Sequence, residues 1–311
     1  MSKMNEIKNY NDVRWYIESI KRVLVHGNVS KQNVDYYYTI ERRKIENYLC
    51  SLGLSITCFN TQNGNNLFEN FILAEFSDIK RLANSLSYNH KEAIPQKLKN
   101  IFSKFSVRNI NNELVENSKI KVCPYCNEGF IMNRNEKYVS AELDHFFSKD
   151  KYPLFSICLY NLIPVCSTCN RLKSNKELKV SPFDRNVDRD NFSITYDITG
   201  INYLNNAKEI DVNFLSNGPD GIKIIEDMKK LHIDESYKSH NDYVQELIKR
   251  KHIYNDARID EIFYNFKDLF TSKEELLRII FGNYISKENF NKRPLSKLTH
   301  DILLQLNVQV K

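Results

Sequence analysis

Cys123-Pro124-Tyr125-Cys126 and Cys166-Ser167-Thr168-Cys169 decide how this 311-residue chain is to be read. Two residues between cysteines let a tight turn aim both thiolates at one ion. Two such turns supply the four sulfurs of a tetrahedral structural zinc. Four thiolates leave that ion no open position, so it is expected to hold the fold and take no part in chemistry. Unrelated buried cysteines are the bland alternative, which two pairs, each beside a turn former, argue against. A redox pair is another, which a second pair close by fits poorly. Residues 127–165 exceed the spacer of a usual zinc ribbon, so a substantial unit is inserted between the turns. The remaining cysteines, Cys50, Cys58 and Cys158, stand singly in apolar surroundings and read as buried small hydrophobes.

Within the insertion, Val139-Ser140-Ala141-Glu142-Leu143-Asp144-His145-Phe146-Phe147 reads as a strand ending in Asp-His. Asn161-Leu162-Ile163-Pro164-Val165 reads as a second short apolar strand running into Cys166. Asn170, Arg171 and Lys173 follow Cys169 at the start of a polar, basic helix. Neighbouring side chains of a strand point to opposite faces, so a strand end or bulge is needed to bring Asp144 and His145 to one site.

In this order, the two cysteine turns, Leu143-Asp144-His145, Asn161-Leu162 and Cys169-Asn170-Arg171-Leu172-Lys173 resemble the zinc-stapled HNH (ββα-metal) endonucleases. The resemblance implies a hairpin and one helix around a single catalytic divalent ion, Mg²⁺ or Mn²⁺, beside the structural Zn²⁺. It also implies a nucleic-acid substrate, DNA foremost. Histidine titrates near physiological pH, which suits His145 to take a proton from water. Asp144 and Asn170 offer hard oxygens to an ion at the scissile phosphate. Asn161, by the same resemblance, orients the imidazole of His145. Many relatives carry His where this chain has Asn170, and Asn favours Mg²⁺ over softer ions.

Each residue alone has a plainer reading. An Asp-His pair is commonly structural, Asn161 suits a turn and Asn170 a helix N-cap. Lys149, Lys151, Arg171, Lys173 and Lys176 flank the motif and read equally as phosphate contacts or as solubilising charge. Phe146, Phe147 and Phe155 suit the core of a small module better than base stacking. The competing reading of the whole is a non-catalytic zinc module that binds nucleic acid or a protein partner. Such a module has no need of Asp144, His145 and Asn170 together.

Working outward, the pattern predicts a mainly α chain with a small ββα-metal module and a few additional short strands. Three regions are expected: helical 1–110, the module at 111–185, and mainly helical 186–311. Asp12 is the expected N-cap of a helix carrying Trp15, Ile17, Ile20 and Val23. Tyr36 to Leu52 reads as a helix stopped by Gly53. Leu54, Ile56 and Cys58 alternate ahead of Asn63-Gly64, suggesting a strand or hairpin. Residues 106–122, polar and rich in Asn, read as a connection.

Hydrophobic residues at 41% and charged residues at 27% exclude a disordered chain. A net charge of +6 permits a polyanionic partner without demanding one. With no signal peptide and no long apolar run, a cytoplasmic protein with no membrane association is expected. The helical flanks, with Arg293-Pro294-Leu295-Ser296-Lys297-Leu298, also resemble HNH nucleases acting beside an ATPase partner in Septu-type bacterial antiphage defence. That likeness implies docking surfaces on the flanks.

Overall fold

The apolar periodicity of the first third builds helices that wall in the cysteine-framed insertion. The computed structural model describes residues 13–25, 33–106, 109–135 and 138–308. Helix α1 (Arg14–Leu24) buries Tyr16, Ile17, Ile20 and Val23 on one face, and the expected cap Asp12 lies outside the described residues. Helix α2 (Val34–Ser51) stops as its sequence suggests. Gly53 takes φ +79°, and the nitrogens of Gly53 and Leu54 bond back to the carbonyls of Cys50 and Leu49.

The alternation at Leu54, Ile56 and Cys58 makes no strand. Ile56–Cys58 is a single 3-10 turn behind Ser55; Phe59 N closes it onto the Ile56 carbonyl, and Asn60 N bonds the Asp78 carboxylate at 2.9 Å instead of a partner strand. Gly64 serves close packing rather than a hairpin, since a Cβ there would fall 2.7 Å from the Asn70 nitrogen. Of the three lone cysteines only Cys158 is buried; Cys58 is half-buried and Cys50 exposed.

Helices α3 (Leu67–Ile72), α4 (Phe76–Ser85) and α5 (Ala93–Phe102) follow. Helix α6 (Ile110–Ser118) occupies part of the segment read as a connection. Its buried Ile110, Leu114 and Val115 recur at helical spacing, but surrounding asparagines mask the pattern. Strands β1 (Asn133–Asn135) and β2 (Tyr138–Val139) pair before β3 (Glu142–His145), which pairs antiparallel with β4 (Leu162–Val165). Helix α7 (Ser167–Lys173) packs against β3. A longer antiparallel pair, β5 (Phe192–Ile198) and β6 (Ile210–Ser216), is joined residue for residue. Helices α8 (Pro219–Lys230), α9 (Ile233–Tyr237), α10 (Asn241–Ile253), α11 (Asp256–Asn265), α12 (Lys273–Phe281) and α13 (Ser296–Gln305) complete the order. The described residues are thus mainly helical with three two-stranded antiparallel pairs. Among them no helix is long and apolar enough to cross a membrane.

Both flanks are bound to residues 111–185 through backbone groups and rings. Tyr16 donates its hydroxyl to the Ile157 carbonyl at 2.7 Å, Phe71 stacks on Phe155, and Phe76 meets Phe146 edge-on. From the other side, Tyr237 donates to the Cys126 carbonyl at 2.6 Å, while the Asp227 carboxylate accepts the nitrogens of Lys179 and Val180. Buried Phe146 and Phe155 pack as the sequence suggests, and Phe147 is half-buried against the same cluster.

Candidate functional site

The two cysteine turns close on each other. The Sγ atoms of Cys123, Cys126, Cys166 and Cys169 all lie within 4.8 Å of one another, with Cys126 and Cys166 at 3.9 Å. A tetrahedral zinc with ~2.3 Å bonds sets its sulfurs roughly 3.8 Å apart, so the cluster can hold a metal ion such as zinc. Backbone geometry suits thiolates too: Glu128 N points at Cys126 Sγ and Cys169 N at Cys166 Sγ. The first turn depends on Asn127, whose φ of +58° reverses the chain after Cys126. Its buried side chain donates to the Phe290 carbonyl and accepts from Lys297 N, and its carbonyl accepts from Leu295 N. Gly129 lets that turn approach the second, because a Cβ there would sit 3.1 Å from Cys166 Cβ.

Asp144 and His145 do reach one site, because they end their strand. His145 is the last residue of β3, opposite Leu162, and both residues border a cavity of about 380 Å³ with Asn170, Arg171 and Lys149. Asp144 points under α7. Its Oδ1 accepts from Lys173 Nζ at 2.9 Å and its Oδ2 from the Tyr125 hydroxyl at 2.6 Å. Lys173 Nζ also donates to the His145 carbonyl at 2.7 Å. Burial pushes the Asp144 carboxyl up, against the pull of the Lys173 ammonium and the Tyr125 hydroxyl. Burial also holds the Tyr125 phenol well above its ordinary range, so it stays a donor.

The His145 ring is gripped by backbone. Its Nε2 lies 2.9 Å from the Ser156 carbonyl, which only accepts, so Nε2 carries the proton and Nδ1 presents a lone pair. Phe102 stands edge-on to the ring at 4.2 Å between centroids, with Lys149 over the face of Phe102. Burial, aided by the charges of Lys149 and Lys173, lowers the imidazole to about 3.

Asn161 is wholly buried, but its side chain works on the loop rather than on the imidazole. Its amide donates to the carbonyls of Phe147 and Phe155 and its oxygen accepts from Phe147 N. The Asn161 carbonyl accepts from Phe146 N as well. Asn161 therefore clamps the chain leaving His145 to the segment that offers Ser156. Asn170, half-buried, donates to Glu142 Oε2 at 2.6 Å. That acid is two residues before Asp144 on β3.

The basic residues divide. Lys149 and Arg171 line the cavity. Lys173 cannot touch a phosphate: it has no exposed surface and its ammonium is spent on Asp144 and His145. Lys151 and Lys176 line a separate cavity, Lys151 paired with Glu177 at 2.7 Å and Lys176 bonded to the Lys230 carbonyl. Sequence reasoning missed Tyr125, Asn127, Glu142 and Ser156. Period-two spacing from Asp144 was the one available signal for Glu142, and αL tolerance the one for Asn127. In comparisons with family models, curated proteins and solved structures, nothing matches the chain.

Proposed function

We propose that the protein is a metal-dependent phosphodiester hydrolase of the HNH type, cutting nucleic acid at the cavity shared by Asp144, His145 and Asn170. The observation that carries the reading is the fixed tautomer of His145, with Nε2 committed to the Ser156 carbonyl and a neutral ring at physiological pH. A general base requires an unprotonated ring nitrogen, and the bond from Nε2 to the Ser156 carbonyl leaves Nδ1 in that role. Arrival of a phosphate raises the proton affinity of the ring, because negative charge favours imidazolium.

The donor chemistry suits a hard divalent cation. Each Asp144 oxygen accepts one hydrogen bond and keeps a further lone pair. Asp144 and the amide oxygen of Asn170 would hold Mg²⁺ or Mn²⁺, with Glu142 beside them. Bound there, the cation supplies charge neutralisation at the scissile phosphate and the departing oxygen. Asn161 keeps His145 and Ser156 in register, and Arg171 and Lys149 steady the phosphate. Zinc on the four cysteines holds β4 and α7 to the first turn.

The test is cleavage of single- and double-stranded DNA and RNA by the purified chain in Mg²⁺, Mn²⁺ or chelator. Cleavage that requires the divalent ion is expected. Tight binding of these substrates without cleavage in either metal would instead make the chain a binding module.

A further inference from the structure

A second cavity, of about 480 Å³, adjoins the catalytic one, and Ser148 lines both. Its inner lining is apolar and aromatic: Phe146 and Leu178 are buried, Phe147 and Tyr152 half-buried. The outer lining is basic. Lys151, Lys176, Lys179 and Lys223 all reach it, and each is exposed. Three of these heads rest on carboxylates near the surface: Lys151 on Glu177, Lys179 on Glu226 and Lys223 on Asp220. Lys176 donates to the Lys230 carbonyl. Exposed pairs of this kind contribute little and yield readily to a stronger anion.

An apolar interior ringed by movable ammonium groups fits a base with its phosphate attached. Half-buried Tyr152 and the free side of Phe147 offer aromatic surface, the lysines take the backbone charge, and the volume falls within the range of small-ligand pockets. We infer that this cavity receives an unpaired nucleotide of the substrate strand, next to the phosphate held by the catalytic cavity. The inference rests on the nuclease reading for that adjacency. Continuity is provided by Ser148, whose hydroxyl bonds Asn175, itself a wall of the catalytic cavity. A base still stacked in a duplex cannot enter, so the cavity selects strands that are single or locally opened. Deoxynucleotides and ribonucleotides share the chemistry.

The experiment is fluorescence anisotropy on the full chain with labelled five-nucleotide strands, one of deoxyuridine and one of uridine, made with phosphorothioate linkages, and a loop-closed hairpin whose stem stays paired. Plasmid and RNA cleavage are run in parallel. At least one strand is expected to bind ten-fold or more tightly than the hairpin. Lys151→Gln combined with Lys179→Gln is expected to weaken that binding several-fold, as is Tyr152→Leu, without change in thermal midpoint for the lysine pair. The tighter of the two strands identifies the sugar. Equal binding of strand and hairpin, or variants that bind as wild type does, would overturn the pocket even if cleavage is found. Strand binding with these losses, but no cleavage in any metal, supports the pocket and sinks the nuclease reading.

Discussion

The hydroxyl of Tyr125 lies 2.6 Å from Oδ2 of Asp144, so a residue inside the first cysteine turn holds the carboxylate at the centre of the site. The turn thereby does two things at once. Its sulfurs belong to a cluster that can hold a metal ion, and its phenol fixes the direction of the Asp144 carboxylate.

Tyr125→Phe removes that one bond and little volume. The cost to folding is expected to be about 1–2 kcal/mol, as for other buried hydrogen bonds. Mn²⁺ affinity, followed by electron paramagnetic resonance on the folded protein, should fall roughly ten-fold, about 1.4 kcal/mol, while zinc content is unchanged. Unaltered Mn²⁺ affinity would make Tyr125 a packing residue only.

Lys173 is the other support of Asp144; its ammonium has no access to water and the carboxylate has little. Lys173→Met leaves a buried carboxylate without its counter-charge and should destabilise by about 3–5 kcal/mol in urea denaturation. Adding Asp144→Asn to that variant should recover part of the loss, because the stranded charge is gone. Additive losses in the double variant would show that the pair does not interact as its 2.9 Å separation implies.

Asn127 offers a separable test of backbone and side chain. Asn127→Gly keeps the φ of +58° at low cost but loses the bonds to Phe290 and Lys297. Asn127→Ala loses both. Stability should rank wild type above glycine above alanine, with about 1 kcal/mol between the variants from the left-handed backbone. An alanine variant as stable as the glycine one would remove the conformational part of this account.

His300 contributes to the acid limb of the stability curve beside His145, whose imidazole burial lowers to about 3. Its buried ring faces the Ile285 carbonyl, the edge of Phe290, and the charges of Asp301, Lys297 and Lys287. Burial outweighs Asp301 and holds the folded imidazole below its ordinary 6.5. The unfolded chain therefore binds more protons below that value, and stability is whole above about pH 6.5 and declines as the pH falls beneath it. His300→Gln should flatten the decline between pH 7 and pH 5. An equally steep curve in the variant would exclude His300 as a contributor.

Local spacing made the inner module legible. The cysteine pairs, the two strands, the helix after Cys169 and the position of Asp144-His145 all follow from patterns within a few residues. What stayed hidden depends on contacts between distant segments. Lys173 looks like a surface base in sequence, and only the packing of α7 over β3 turns it inward onto Asp144. Asn161 is a plausible partner for an imidazole until the loop from Phe147 to Phe155 wraps it and takes all its amide bonds. The alternation at Leu54, Ile56 and Cys58 misled because a strand also needs a neighbour, and Asp78 had taken the backbone donor beyond it. Helix α6 shows the reverse: three buried residues sufficed to form it despite a polar composition.

Cleavage by wild type and His145→Ala, each with its four-cysteine metal content measured, tests most directly whether this cavity hydrolyses phosphodiesters. Supercoiled plasmid and single-stranded RNA are assayed side by side in Mg²⁺, Mn²⁺ and chelator. Divalent-dependent cleavage that drops at least a hundred-fold in the variant, with zinc retained, is the predicted result. Cleavage at the wild-type rate by a zinc-loaded His145→Ala would contradict it.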